Sequence, residues 1–482
     1  MKKIYIIGVI GLMWVMGMTG AKAQLSYSET NNLFYHALRA PQSTLDNAAF
    51  FPTNNTFYLM FPGVDLQFNS PLMVKDVMYY DKGRNQTVIN LDTILKSLRE
   101  NDDFHLGASV ELLGFGFKAG KNFITFNTRL VNNVNVGLPT STIDAVLRGN
   151  VDENNALIPE IEMLSGDVLN MTSYLEAAFG YARYIPSLDL MVGARAKLLF
   201  GVANAQTDNT KVVFRSNNDS LTANMYYEIQ SSTFAPYDTN QKKFIFNVGD
   251  ILSNANTGIA FDLGAKYDMG PFTFSFAIND LTAGIHWKNN VMTWRPEGGQ
   301  GQIVFSGVDV STMLDNGTFS ADSLTNYLEN QLTSMKPVQE HAGDYWFSIP
   351  TKINLGASYS FAKVFRAGLL LHGQFDRGLL CKSSLKIDES VTNTFRFNTT
   401  LTLGANLYNW AEVILGSSVV HDGSGWDFFN PGAGVILTPG TVVQLYFMAD
   451  YISSFYLVDS KAFNLKFGLN ILIGKGGRSE IR

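Results

Sequence analysis

The run Phe463-Asn464-Leu465-Lys466-Phe467-Gly468-Leu469-Asn470-Ile471-Leu472-Ile473 decides the fold. Its odd positions are all large and apolar, and its even positions are polar or glycine except Leu472. A strand turns successive side chains to opposite faces, so one face of this run is oily and the other wet. Close to a C-terminus and behind an export signal, that pattern suits a strand with lipid on one side and a polar lumen on the other.

The same alternation recurs upstream. Ile353, Leu355, Ala357, Tyr359 and Phe361 alternate with Asn354, Gly356, Ser358 and Ser360. Phe272, Phe274, Phe276 and Ile278 alternate with Thr273, Ser275, Ala277 and Asn279. Tight-turn signals separate such runs in pairs, at 118–121, 186–187, 270–271, 361–363, 409–410 and 439–440. Gly, Pro and Asn supply the backbone angles these turns need. Longer connections lie between the pairs, at 138–170, 207–256, 287–345, 379–392 and 421–429.

Six hairpins follow: 104–117 with 122–137, 171–185 with 188–206, 257–269 with 272–286, 346–360 with 364–378, 393–407 with 411–420, and 430–437 with 441–451. The runs 56–69 and 462–473 remain and pair to close a cylinder, which removes the edges that lipid cannot satisfy. The expected fold is all-β: a transmembrane antiparallel β-barrel of about 14 strands over 56–474, with short turns at the periplasmic end. The stretches 210–231 and 291–306 also read as strands. They are taken as ribbons within loops, and placing either in the wall would give sixteen. Helical spacing of leucines places helices in the loops at 90–100 and 323–335.

The first residues carry Lys2 and Lys3, an apolar run from Ile4 to Met18, and Ala21-Lys22-Ala23. These are the parts of a secretory signal peptide over 1–23, cleaved after Ala23; an uncleaved anchor is the alternative. The segment 24–55 lacks alternation. It is read as a plug, favoured by Leu33, Phe34, Tyr35, Leu38, Phe50 and Phe51, or else as a disordered leader. The residues 475–482 form a polar periplasmic tail.

The alternate positions of the wall strands give a set of candidate lumen-facing charges: Glu111, Arg129, Glu176, Arg195, Lys197, Asp262, Lys266, Arg366, His372, Arg396, Glu412 and Lys466. Both signs are present. They form either a neutralising salt-bridge network or an anion-attracting path.

Other chemistry is thinly represented. The net charge is −6, which gives no reason to expect nucleic acid as a partner. Cys381 is the single cysteine, so no intramolecular disulfide forms. The six histidines are scattered without metal-ligand spacing. Ser424 follows His421 and Asp422 but lacks the Gly-x-Ser-x-Gly setting of a hydrolase. Neither catalysis, cofactor nor metal is expected.

Three stretches carry a likeness. They are Asp46-Asn47-Ala48-Ala49-Phe50-Phe51-Pro52, the hairpin from Val110 through Phe117 to Phe123, and Leu469 to Gly474. On these the chain resembles an uncharacterised family of exported Gram-negative barrels near the fatty-acid and aromatic-hydrocarbon transporters of the outer membrane (the FadL/TodX type). Ala48 stands where proline is common in that group. The resemblance implies fourteen strands, an N-terminal plug and passage of small hydrophobic molecules, and it supplies no binding residues. The expected partners are outer-membrane lipids, a small hydrophobic or amphipathic substrate and outer-membrane proteins. The competing function is a non-transporting scaffold subunit of a secretion or assembly complex, as some distant relatives are.

Overall fold

A computed structural model describes residues 22–25 and 31–52, and most of 55–137 and 158–216. It also describes most of 221–296, 343–379, 394–452 and 460–474, and short stretches of the loops between. The signal run before Lys22, the tail 475–482, Cys381, Ser424 and the expected helix 323–335 lie outside the described residues. Of the expected helix 90–100, only Thr93 and Ile94 are described.

Fourteen wall strands follow the chain. They are β1 (Phe57–Met60 and Gly63–Asn69), β2 (Asp103–Ala119), β3 (Asn122–Gly137), β4 (Leu169–Ile185), β5 (Leu190–Ser216), β6 (Thr257–Met269) and β7 (Phe272–Trp287). The second half comprises β8 (Tyr345–Ser348 and Thr351–Phe361), β9 (Phe365–Phe375), β10 (Thr394–Leu407), β11 (Ala411–His421), β12 (Trp426–Leu437), β13 (Val443–Asp450) and β14 (Ala462–Ile473). Each pairs antiparallel with its sequence neighbours. β14 then returns to β1, with Ile473 opposite Phe57 and Phe467 opposite Val64. The wall is therefore a closed antiparallel barrel of fourteen strands, and the hairpins read from alternation are its hairpins.

The two ribbons stand outside the closed wall. The far end of β5 pairs with Glu160–Gly166 and with Leu221–Thr233. That last strand also pairs with Met292–Pro296 and Gly301–Phe305, so a small sheet continues beyond the long-loop end. At the opposite end the connections are short. Gly120, Gly270 and Gly440 adopt φ of +64°, +59° and +68°, the left-handed backbone that favours glycine.

Side-chain burial separates the two faces. In β10, Leu401 is 58% exposed while Thr400 is fully buried; in β5, Leu198 is 55% exposed while Lys197 is 2%. A water-soluble sheet would bury the leucines and expose the lysine, so the oily face here meets hydrocarbon. Near the short turns, Phe272, Tyr359, Phe361 and Phe365 form a chain of ring contacts, with centroids 4.8, 5.9 and 5.6 Å apart. All four are exposed. They make up part of an aromatic girdle at the rim.

The chain before β1 runs inside the cylinder. Between Asn31 and Pro52 it holds only a 3₁₀ turn at Leu33–His36 and one helical turn, α1, at Ser43–Asp46. Nearly all of these residues are buried. They contact β5, β6, β7, β8, β9, β10, β13 and β14, a spread that only a position within the bore permits. Further upstream, the backbone of Lys22–Leu25 pairs parallel with Thr394–Phe397 of β10.

Candidate functional site

Among the described residues, the polar face of the wall collects charge into four groups. The largest spans β3 to β7. Arg129 Nη2 donates to Glu176 Oε2 at 2.8 Å, Arg195 Nη1 to Asp262 Oδ2 at 3.0 Å, and Lys197 Nζ lies 2.8 Å from Asp262 Oδ1 and 2.7 Å from Asp280 Oδ1. Arg195 and Lys197 also approach Glu176 at 3.5 and 3.8 Å. Three cations meet three carboxylates, so the group neutralises itself. Uncompensated charge is costly in a dry interior, and mutual pairing with hydrogen bonds is what makes this arrangement tolerable.

The second group sits across the seam where the barrel closes. Lys466 Nζ lies 3.8 Å from Asp65 and 3.9 Å from Glu111, and 4.5 Å from the ring centre of Phe34. In the third, Arg366 lies 3.8 Å from Glu412 and donates to the His36 carbonyl at 3.1 Å. In the fourth, Arg396 reaches Asp376 at 2.8 Å and Asp103 at 3.2 Å. His372 is buried, with Nδ1 2.7 Å from Asn354 Oδ1. Lys266 stands apart near the turn end and pairs with Asp268 at 2.9 Å.

Five of the twelve sequence candidates thus meet in one network. Asp280, Asp65, Asp103 and Asp376, which complete these groups, were not among the candidates. Asp65 alternates with Val64 and Leu66 and was readable on the same rule. Asp280 was not: counting on from Ile278 by twos places it on the lipid side. The register between β6 and β7 shifts around Phe261, and Asp280 and Thr282 take φ of +60° and +59°. This irregularity swings the Asp280 carboxylate inward onto Lys197.

The inner segment is fitted to this surface. Arg195 donates to the carbonyl of Leu45 at 3.4 Å, at the open C-terminal end of α1. Asn279 Nδ2 donates to the Asp46 carbonyl at 2.8 Å and Asn32 N to Asp450 Oδ2 at 2.5 Å. Gln42 and Asn470 exchange amide hydrogen bonds at 2.7 and 2.9 Å. Two wall glycines give the segment room. A Cβ at Gly193 would lie 2.2 Å from the Ala48 carbonyl oxygen, and one at Gly264 would lie 2.1 Å from Asn47 Oδ1.

Between segment and wall, a cavity of about 10 Å³ is bordered by Tyr35, Asp46, Asn279, Lys352, Asn354 and His372. That is the room of about one water molecule. Burial and the nearby Arg366 guanidinium depress the His36 imidazole to about 3, while burial raises the Asp46 carboxyl. Among the described residues no three His, Cys, Asp or Glu side chains cluster to hold a metal.

No curated protein matches the chain. Solved structures do, at low identity. The toluene transporter TodX of Pseudomonas putida is 10% identical, with a TM-score of 0.39 over 89% of this chain and 91% of that one. A Pseudomonas aeruginosa FadL homologue is 10% identical, with a TM-score of 0.40 over 90% and 94%. The monoaromatic hydrocarbon channel CymD is 10% identical, with a TM-score of 0.38 over 90% and 91%. Residues 49–450 match the profile described as the family of unknown function DUF5723, and the chain belongs to that family.

Proposed function

We propose that the mature chain is a barrel of the bacterial outer membrane that admits small hydrophobic or amphipathic molecules, with residues 24–55 as a removable plug. One observation carries this reading. The inner segment is tied to the wall by side-chain hydrogen bonds, such as those of Gln42 and Asn279, with no strand of Asn31–Pro52 in the sheet. Water can replace such bonds at small net cost, about 0.5–1.5 kcal/mol each. Residues 1–23 act as a cleaved signal, and N-terminal sequencing of the exported protein should start at Gln24.

Planar bilayers provide the test. The full chain should conduct weakly, and a variant lacking 31–52 should conduct strongly while keeping the heat-modifiable gel mobility of a folded barrel. A folded deletion variant that stays closed to ions and small solutes would refute the plug.

A second reading is favoured by the sheet that continues β5 beyond the wall. It offers a rigid platform for another outer-membrane protein, as a scaffold subunit would need. Crosslinking before mild detergent extraction should then recover a partner in fixed stoichiometry; a monomer would count against it.

A further inference from the structure

We propose that Arg396, Asp103 and Asp376 form an electrostatic clasp across the long-loop mouth of the barrel. Arg396 lies on β10 and Asp103 on β2, and the closed wall separates them by β11, β12, β13, β14 and β1. Six inter-strand steps at about 4.8 Å amount to roughly 29 Å of wall. Yet Nη1 of Arg396 lies 3.2 Å from Asp103 Oδ1, and Nη2 lies 3.2 Å from Oδ2. The contact therefore crosses the opening and does not follow its rim.

The chemistry suits a clasp. A guanidinium fork facing both oxygens of one carboxylate fixes direction as well as distance. Asp376, at the end of the neighbouring β9, takes the Nε side at 2.8 Å and holds the guanidinium in place. The three side chains remain about a quarter exposed, at 26%, 25% and 24%. Salt can therefore reach this group, unlike the network around Lys197.

Its position is also telling. Two residues deeper on β10, Asn398 accepts from Asn32 Nδ2 at 2.8 Å, so the clasp covers the start of the inner segment. Two residues deeper on β2, His105 pairs with Asn135 at 2.7 Å. The barrel thus carries two barriers in series: the segment within and the ionic closure above it. The inference deepens the gated-barrel reading, while its test measures the mouth and is independent of transport.

The test labels a cysteine beneath the clasp. In purified full chain carrying Cys381→Ser and Asn135→Cys, modification by a bulky uncharged maleimide should be slow at low salt. It should accelerate as salt rises from about 0.01 M to about 1 M, where the screening length falls from about 30 Å to about 3 Å. Adding Arg396→Gln should raise the low-salt rate by roughly tenfold and flatten most of the salt dependence, since the guanidinium whose pairing salt screens is gone. Exchanging the charges with Asp103→Arg and Arg396→Asp should slow labelling again.

Equal rates with and without Arg396, in variants of normal folded mobility, would overturn the clasp. The salt response of the protein with Arg396 intact tests it without touching the clasp. A flat response there would be equally damaging.

Discussion

The wall and the segment it encloses are held by different means. Every wall strand belongs to a closed ladder whose hydrogen bonds are made by backbone, whatever the side chains. Between Asn31 and Pro52 the segment has two isolated turns, and its attachment depends on particular side chains: Gln42 to Asn470, Asn279 to Asp46, Arg195 to Leu45. A single substitution can therefore loosen the segment, while the wall yields only where a substitution strands a buried charge. The lesson is that permanence here tracks backbone pairing, and adjustability tracks side-chain pairing.

The largest effect should come from breaking the wall's own exception to that rule. Lys197 is 2% exposed and is the cation shared by Asp262 and Asp280. Lys197→Ala leaves two carboxylates short of a partner in a dry interior and should cost about 3–5 kcal/mol. Urea-driven unfolding from lipid vesicles would read this. A loss below about 1 kcal/mol would mean that water already solvates the group, and the contrast between a dry wall network and a wet mouth would fail.

How much of this was readable in the sequence follows the same division. The strands were legible because a lipid-facing position must be apolar at every second residue, as in Phe463 to Ile473. The turns were legible because Gly120, Gly270 and Gly440 mark them. The network was half legible. Period-two counting finds Glu176, Arg195, Lys197 and Asp262, but it fails at Asp280, where the strand departs from regular geometry. The clasp was not legible at all. Hairpin order tells which strands are neighbours and says nothing of which side chains meet across a bore. The fit of the inner segment was equally hidden, since a wall glycine such as Gly264 reads as an ordinary small inward residue until the chain pressing on it is seen.

The second effect should fall on the segment alone. The Cβ of any residue at position 264 would clash with Asn47, and its neighbours Ala48 and Ala49 offer backbone atoms at 2.8 Å. Gly264→Val should therefore unseat the segment at a cost of about 1–3 kcal/mol, the usual penalty of overpacking. Limited proteolysis would show cleavage between residues 31 and 52 with the barrel still intact. If instead the whole barrel fails to form, segment and wall fold as one unit and the distinction drawn above is wrong.

The smallest effect is a dependence on pH. His36 is buried beneath Gly368, its Nε2 has no hydrogen-bond partner among the described residues, and Arg366 stands beside it. The seated imidazole holds its proton only near pH 3, against about 6.5 in the released chain. Between those values the released segment binds a proton that the seated one refuses, so acid favours release and neutral pH favours seating. At pH 5 the difference is at most about 2 kcal/mol, from about 1.36 kcal/mol per unit. Asp46 acts in the opposite sense: burial raises its carboxyl, so protonation there eases seating as the pH falls. The two are separated by substitution. Proteolytic sensitivity of residues 31–52 should rise in the natural protein between pH 7 and pH 5, while His36→Leu, which keeps Asp46, should stay flat or become better protected. If both proteins respond alike, the acid sensitivity lies in the wall, and the inner segment is not the element that pH adjusts.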